Sequence, residues 1–137
     1  MSYYSEAREF HEREQYEEAY KLYEQGANAG DEKCYYGIAL FLYDGYYVKE
    51  DKDAAAKIFA ENYDGILALA ETGDAEAMYI IACYYANGFC VNEDNEKQIE
   101  WLSKSATAGY SNAQWRLGTM CEFGDGVEED HTKAVEL

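Results

Sequence analysis

The stretch Gly73-Asp74-Ala75-Glu76-Ala77-Met78-Tyr79-Ile80-Ile81-Ala82-Cys83-Tyr84-Tyr85-Ala86-Asn87-Gly88-Phe89-Cys90-Val91-Asn92-Glu93-Asp94 decides the fold. Small residues at 75, 77 and 82 and larger apolar ones at 78, 81 and 85 fall at three- and four-residue steps. That spacing is one face of an α-helix. Gly88 and Asn92 then break the helix, and Asp94 can cap a second one. The stretch predicts a helix-turn-helix unit.

Its landmarks recur along the chain. Gly30, Gly73 and Gly109 open three copies, and Gly45, Gly88 and Gly124 close the first helix of each. Ile38-Ala39, Ile81-Ala82 and Leu117-Gly118 share one place, as do Val48, Val91 and Val127, and then Asp51, Asp94 and Asp130. The first copy precedes the second by 43 residues and the second precedes the third by 36 at all five places. Constancy of this kind marks a repeat architecture. The two offsets differ by seven residues, close to two helical turns. An insertion within residues 57–69 is therefore expected to lengthen one helix without rotating its apolar face, with Gly65 as a kink point. A loop insertion is the alternative. Helices are predicted at 3–13, 16–29, 31–44, 52–71, 74–87, 95–108, 110–123 and 130–136. The first should turn Tyr3, Ala7 and Phe10 inward, the second Tyr16, Ala19 and Tyr23.

Composition bounds what such a chain can do. The 137 residues are 48% hydrophobic and 16% aromatic, too apolar for a disordered chain. There is no proline, which suits helices with short connections. The formal net charge of −17 disfavours nucleic acid and anionic lipid, whose phosphates need a basic surface. It permits a basic protein partner. Met1-Ser2-Tyr3-Tyr4-Ser5-Glu6 has neither a basic start nor an apolar run, so a cytoplasmic protein without membrane contact is expected. Cys34, Cys83, Cys90 and Cys121 lack C-x-x-C spacing and are expected to be free, buried thiols.

Gly109-Tyr110-Ser111-Asn112-Ala113, Leu117-Gly118 and Gly124-Asp125-Gly126-Val127-Glu128-Glu129-Asp130-His131-Thr132-Lys133-Ala134 carry a resemblance, joined by Lys97, Trp101, Lys104 and Ala106 in the middle copy. From Gly30 onward the chain resembles the Sel1-like repeat family, a relative of the tetratricopeptide repeat. The first copy departs most: Glu32 and Cys34 replace small residues, Tyr46-Tyr47 replaces the x-Gly pair, and Ile58 takes the Trp place. Residues 3–29 resemble a tetratricopeptide unit through Tyr16, Ala19 and Tyr23. The resemblance implies an all-α, right-handed α-solenoid of antiparallel helix pairs. A single solenoid domain over 1–137 would hold a tetratricopeptide-like pair at 1–29 and repeats at 30–72, 73–108 and 109–137, the last incomplete. It also implies an adaptor or scaffold for other proteins.

No constellation of catalytic residues stands out. His11-Glu12-Arg13-Glu14-Gln15 begins like a zinc-protease helix, but Gln15 stands where the second His is needed, and it reads as a solvated helix end. His131 with Glu128, Glu129 and Asp130 lacks the alternation of a calcium loop, so Asp130, like Asp51 and Asp94, is expected to cap a helix. No metal, cofactor or enzymatic activity is expected.

The aromatic residues are the better candidates. In the tetratricopeptide relative, the first helix of each unit lines a concave groove. Carried over by the Leu-Gly place, that register puts Tyr36, Leu40 and Tyr43 on the groove in the first copy, Glu76 and Tyr79 in the second, and Asn112 and Trp115 in the third. Tyr4 extends the row. Tyr4, Tyr36, Tyr79 and Trp115 would form one column for a segment of a partner protein. Packing of these rings between helices is the plainer alternative. A rival function is an acidic inhibitor or toxin-immunity protein that occludes a basic site on a nucleic-acid enzyme or toxin. At the C-terminus, the short last helix should either fray or pair through its apolar edge with another copy.

Overall fold

The computed structural model describes residues 2–122. Among them are seven helices and no strand: α1 (Tyr3–Glu12), α2 (Tyr16–Asn28), α3 (Glu32–Asp44), α4 (Lys52–Glu71), α5 (Ala75–Asn87), α6 (Asn95–Thr107) and α7 (Ser111–Glu122). The predicted helix at 130–136, the Asp130 cap and the C-terminal edge lie outside the described residues. The chain divides into two compact units, residues 1–65 and 66–137.

Two kinds of turn alternate. The turn after a first helix is closed by glycine: Gly45 and Gly88 adopt φ of 76° and 71°, and their N–H groups donate to Phe41 O and Tyr84 O. The left-handed conformation carries no Cβ penalty in glycine. Farther along, the Asp51 N–H reaches Leu42 O at 2.8 Å and the Asp94 N–H reaches Tyr85 O at 3.1 Å. Each aspartate then caps the next helix: Asp51 accepts from the Ala54 N–H and Asp94 from the Lys97 N–H. Both caps match the sequence expectation.

The turn after α2 is shorter. Gly30 has φ of 91°, its N–H donates to Ala27 O, and the Asp31 N–H donates to Gly26 O. These paired bonds satisfy the last carbonyls of the helix. Asp31 then accepts from the Lys33 N–H and starts α3. Gly73-Asp74 repeats the device: the N–H groups bond Ala70 O and Leu69 O, and Asp74 accepts from the Ala77 N–H.

The insertion is helical. α4 has 20 residues against 13 in α6, so it holds all seven extra residues in one uninterrupted helix. Gly65 lies within it, where a Cβ would meet the Glu32 carboxylate of α3.

In the first unit, α1 packs on α2 and α2 on α3. Of the residues expected inward on α1, Ala7 is buried and Phe10 half-buried, while Tyr3 is 42% exposed and its neighbour Tyr4 is buried instead. Positions 4, 7 and 11 lie on one helical face, so His11 also turns inward. It is half-buried rather than solvated, with ring centroids of Phe41 at 4.8 Å and Tyr16 and Tyr23 at 6.0 Å. The Tyr23 ring rests on Gly37 of α3, where a Cβ would collide with it. A Cβ at Gly26 would likewise meet Cys34 and Tyr3, so Gly37 and Gly26 leave the room that Tyr23 and Cys34 fill. In the second unit, Ala82, Leu102, Ala106, Ala113, Leu117 and Met120 form one core across α5, α6 and α7. The buried Ser105 Oγ donates to Ala75 O at 2.7 Å and ties α6 to the start of α5.

His11 makes this core sensitive to pH. Nδ1 lies 3.2 Å from Arg8 Nη1 and 3.1 Å from the Tyr23 hydroxyl. A guanidinium only donates, so Nδ1 accepts and the ring proton sits on Nε2. Burial, reinforced by the Arg8 charge, lowers the His11 pKa from 6.5 to about 4. The unfolded chain therefore takes up this proton first. The stabilisation is complete above pH 6.5 and is lost as pH falls toward 4. The wild-type protein should lose stability between pH 7 and pH 5 more steeply than His11→Gln, as urea unfolding at the two pH values would read. Equal slopes would place His11 in water.

Tyr47 and Cys90 stand 43 residues apart at the same loop place, with φ of 62° and 51°. The family pattern has glycine there, as at Gly126. A non-glycine residue in this region costs about 1–2 kcal/mol. Cys90 is exposed, not buried as the sequence suggested. Cys90→Gly should raise unfolding free energy by about 1 kcal/mol, measured by urea denaturation. An unchanged or lower value would show that the thiol contributes as much as the strain costs.

Candidate partner-binding surface

The eight expected groove residues separate by exposure. Tyr4 on α1 is 1% exposed and Tyr36 on α3 is 4% exposed, so neither stands at a surface. The Tyr4 ring lies 6.0 Å from Tyr23, and Lys33 Nζ sits 5.9 Å from its centroid. The Tyr36 ring lies 5.8 Å from Phe59 of α4. The expected column is corrected at these two positions. α3 is covered on more than one side, and α1 is turned so that Tyr4 points into the core. Leu40 and Tyr43 are half-buried. Lys52 Nζ lies 3.9 Å over the Tyr43 ring and donates to Tyr43 O at 3.1 Å.

In the second unit the expected residues retain surface. Glu76 and Tyr79 lie half-buried on α5, and Asn112 half-buried on α7. The Tyr79 ring meets Tyr110 edge-on at 5.3 Å, and Asn112 Nδ2 donates to the Tyr110 hydroxyl at 3.2 Å. Tyr110 occupies the place that Asp31 and Asp74 hold in the other joints; its side chain is an aromatic support rather than an N-cap. Trp115, one turn along α7 from Asn112, is 73% exposed. The α5 and α7 positions thus form a half-buried polar and aromatic base with one bare indole. A shallow hollow of about 420 Å³ lies elsewhere on this unit, between Met78 and the Ser103–Ala108 segment.

A second aromatic surface escaped the sequence reading. At the loop end of the first unit, Tyr16 and Tyr46 stack at 4.5 Å with 2° between their planes, and Tyr20 lies 5.5 Å from Tyr47. The buried Phe41 supports Tyr16 and Tyr20 from beneath, at 5.7 and 5.6 Å. Tyr46 and Tyr47 are 39% and 53% exposed. The signal in the sequence was Tyr46-Tyr47 at the x-Gly place. Carboxylates surround these rings. The Tyr16 hydroxyl is raised above its usual pKa by desolvation and then by Glu14, and Tyr20 by desolvation and then by Glu24. Desolvation also raises the Asp44 carboxyl, with Lys52 opposing and Glu50 reinforcing the shift.

Among the described residues, no three His, Cys, Asp or Glu side chains gather to hold a metal ion, and no helix is long and apolar enough to cross a membrane. Among the described residues, Cys34, Cys83 and Cys90 form no disulfide.

Comparison with known proteins places the architecture. The Sel1 repeat pattern matches residues 2–31, 33–61, 75–110 and 111–137. The first match includes the stretch that resembles a tetratricopeptide unit. No curated protein matches the chain. Among solved structures, a Sel1 repeat protein from Oxalobacter formigenes is 28% identical, with a TM-score of 0.55 over 87% of this chain and 46% of that one. A protective antigen of uropathogenic Escherichia coli with an SLR fold is 25% identical, with a TM-score of 0.49 over 85% of this chain and 24% of that one. This chain thus spans less than half of either relative. Sel1 repeat proteins generally act as protein-interaction scaffolds and are typically non-catalytic. With four matched repeats over most of its length, and helix pairs at the first three, this chain belongs to the Sel1 repeat family and has its all-α solenoid fold.

Proposed function

We propose that this chain is a non-catalytic protein-interaction module, an adaptor or scaffold. Its partner lies on the α5 and α7 face that carries Glu76, Tyr79, Asn112 and Trp115. The observation that carries this reading is the 73% exposure of Trp115. A bare indole in water is a large apolar area awaiting cover, and Trp and Tyr are favoured interface anchors. Asn112 and Glu76 are polar groups that can select the orientation of a bound segment. In the first unit, Leu40 and Tyr43 offer the equivalent half-buried positions. Tyr4 and Tyr36 support that unit from within.

The partner is first captured from the source organism and identified by mass spectrometry. Trp115→Ala should then weaken its binding by about 2 kcal/mol, roughly 30-fold, while leaving thermal stability unchanged. Tyr79→Ala should weaken binding and also lower stability, because its ring packs on Tyr110. Calorimetric titration and thermal unfolding read the two effects separately. Normal binding by Trp115→Ala would remove the face from consideration. If binding also collapsed with added salt, occlusion of a basic site by the net charge of −17 would replace this reading.

A further inference from the structure

We infer that the tyrosine surface at the loop end of the first unit is a second binding site, distinct from the α5 and α7 face, and that it takes an arginine-bearing segment of a partner protein. Three observations converge on it. Tyr16, Tyr20, Tyr46 and Tyr47 form one ring cluster over the buried Phe41, and its outer members are 39% and 53% exposed. Tyr47 holds φ of 62° at a place where glycine would be unstrained, and Glu14 in the facing turn holds φ of 61°. The left-handed backbone presents the Tyr47 ring beside Tyr20, with 53% of the residue still exposed. Backbone strain kept against the cheaper residue is a pointer to function.

The third observation selects the ligand. The two segments that carry the rings, 14–24 and 44–52, hold Glu14, Glu17, Glu18, Glu24, Asp44, Glu50 and Asp51 against Lys21, Lys49 and Lys52. Lys21 and Lys52 are already engaged, with Glu17 at 3.5 Å and Glu50 at 3.2 Å. Tyrosine faces rimmed by carboxylates are complementary to a cation that is also flat. The arginine guanidinium is both: it stacks on a ring and donates to carboxylates in the plane of that stack. The unit already contains a cation on a ring, Lys52 Nζ at 3.9 Å over Tyr43. The Tyr16–Tyr46 pair is closed at 4.5 Å, so the guanidinium stacks on the outer faces of Tyr46 and Tyr47 and does not enter between the rings.

The test uses the full chain and labelled Arg-Gly and Lys-Gly repeat peptides of equal charge. The Arg-Gly peptide should bind at least tenfold more tightly, and its addition should shift the amide resonances of residues 14–24 and 44–50. The variant Tyr46→Ser with Tyr47→Gly keeps every carboxylate, and Tyr47→Gly relieves the left-handed residue. It should lose the arginine preference, whereas Trp115→Ala should keep it. Equal affinity for the two peptides, or amide shifts confined to other segments, would overturn the site. So would an unchanged arginine preference in the double variant, since bulk negative charge would then account for the binding. Trp115→Ala tests the α5 and α7 face alone, so the two surfaces can fail independently.

Discussion

Two of the joints between helix pairs rest on two residues with opposite conformational demands. Gly30 and Gly73 enter the left-handed region and close the preceding helix, and the aspartate that follows caps the next one. Three residues separate the end of one helix from the start of the next at both joints, Ala29 to Asp31 and Thr72 to Asp74. A side chain with a Cβ would pay for left-handed backbone at the glycine, and an apolar residue at the aspartate would leave an amide without its cap. The internal sequence of each helix can vary widely while this joint persists. That is why the landmarks keep their offsets although the first copy departs at Glu32, Cys34 and Ile58.

Between the joints, the helices are held by a division of labour between small residues and rings. Gly37 and Gly26 bring backbones close, and Tyr23 and Cys34 occupy the room they leave. A tyrosine in such a place needs a partner for its hydroxyl, and His11 provides one for Tyr23. The histidine is then held neutral in an aromatic surround. The same chain uses its remaining rings differently. Trp115, Tyr46 and Tyr47 instead keep surface exposed to solvent.

The landmarks made the helices, the joints and the seven-residue extension of α4 legible, because glycine and aspartate at turns have local physical reasons. Burial was less legible. A helical period says which residues share a face, and it leaves open which face meets a neighbour. α1 satisfied its period with Tyr4 and Ala7 buried and Tyr3 exposed. Tyr36 shared the register of Tyr79 and Trp115, yet α3 has helices against more of its circumference and its ring is covered. The register of the candidate face was visible at Glu76, Tyr79, Asn112 and Trp115; the support of Tyr79 by Tyr110 was not, since Tyr110 sits where an aspartate cap was the precedent. The tyrosine cluster joins residues about thirty apart in sequence, and Tyr47 and Cys90 depart from glycine at a position whose strain only the backbone reveals.

The central claim is that the aromatic residues fall into two classes, rings that fill the helix crossings and rings that are displayed for partners. Laser-induced nuclear polarisation with a flavin dye reads it directly, because only Tyr and Trp side chains open to solvent become polarised. The account predicts strong signals from Trp115, Tyr46 and Tyr47 and none from Tyr4, Tyr23 and Tyr84. Silence at Trp115 together with polarisation of Tyr4 or Tyr23 would contradict it.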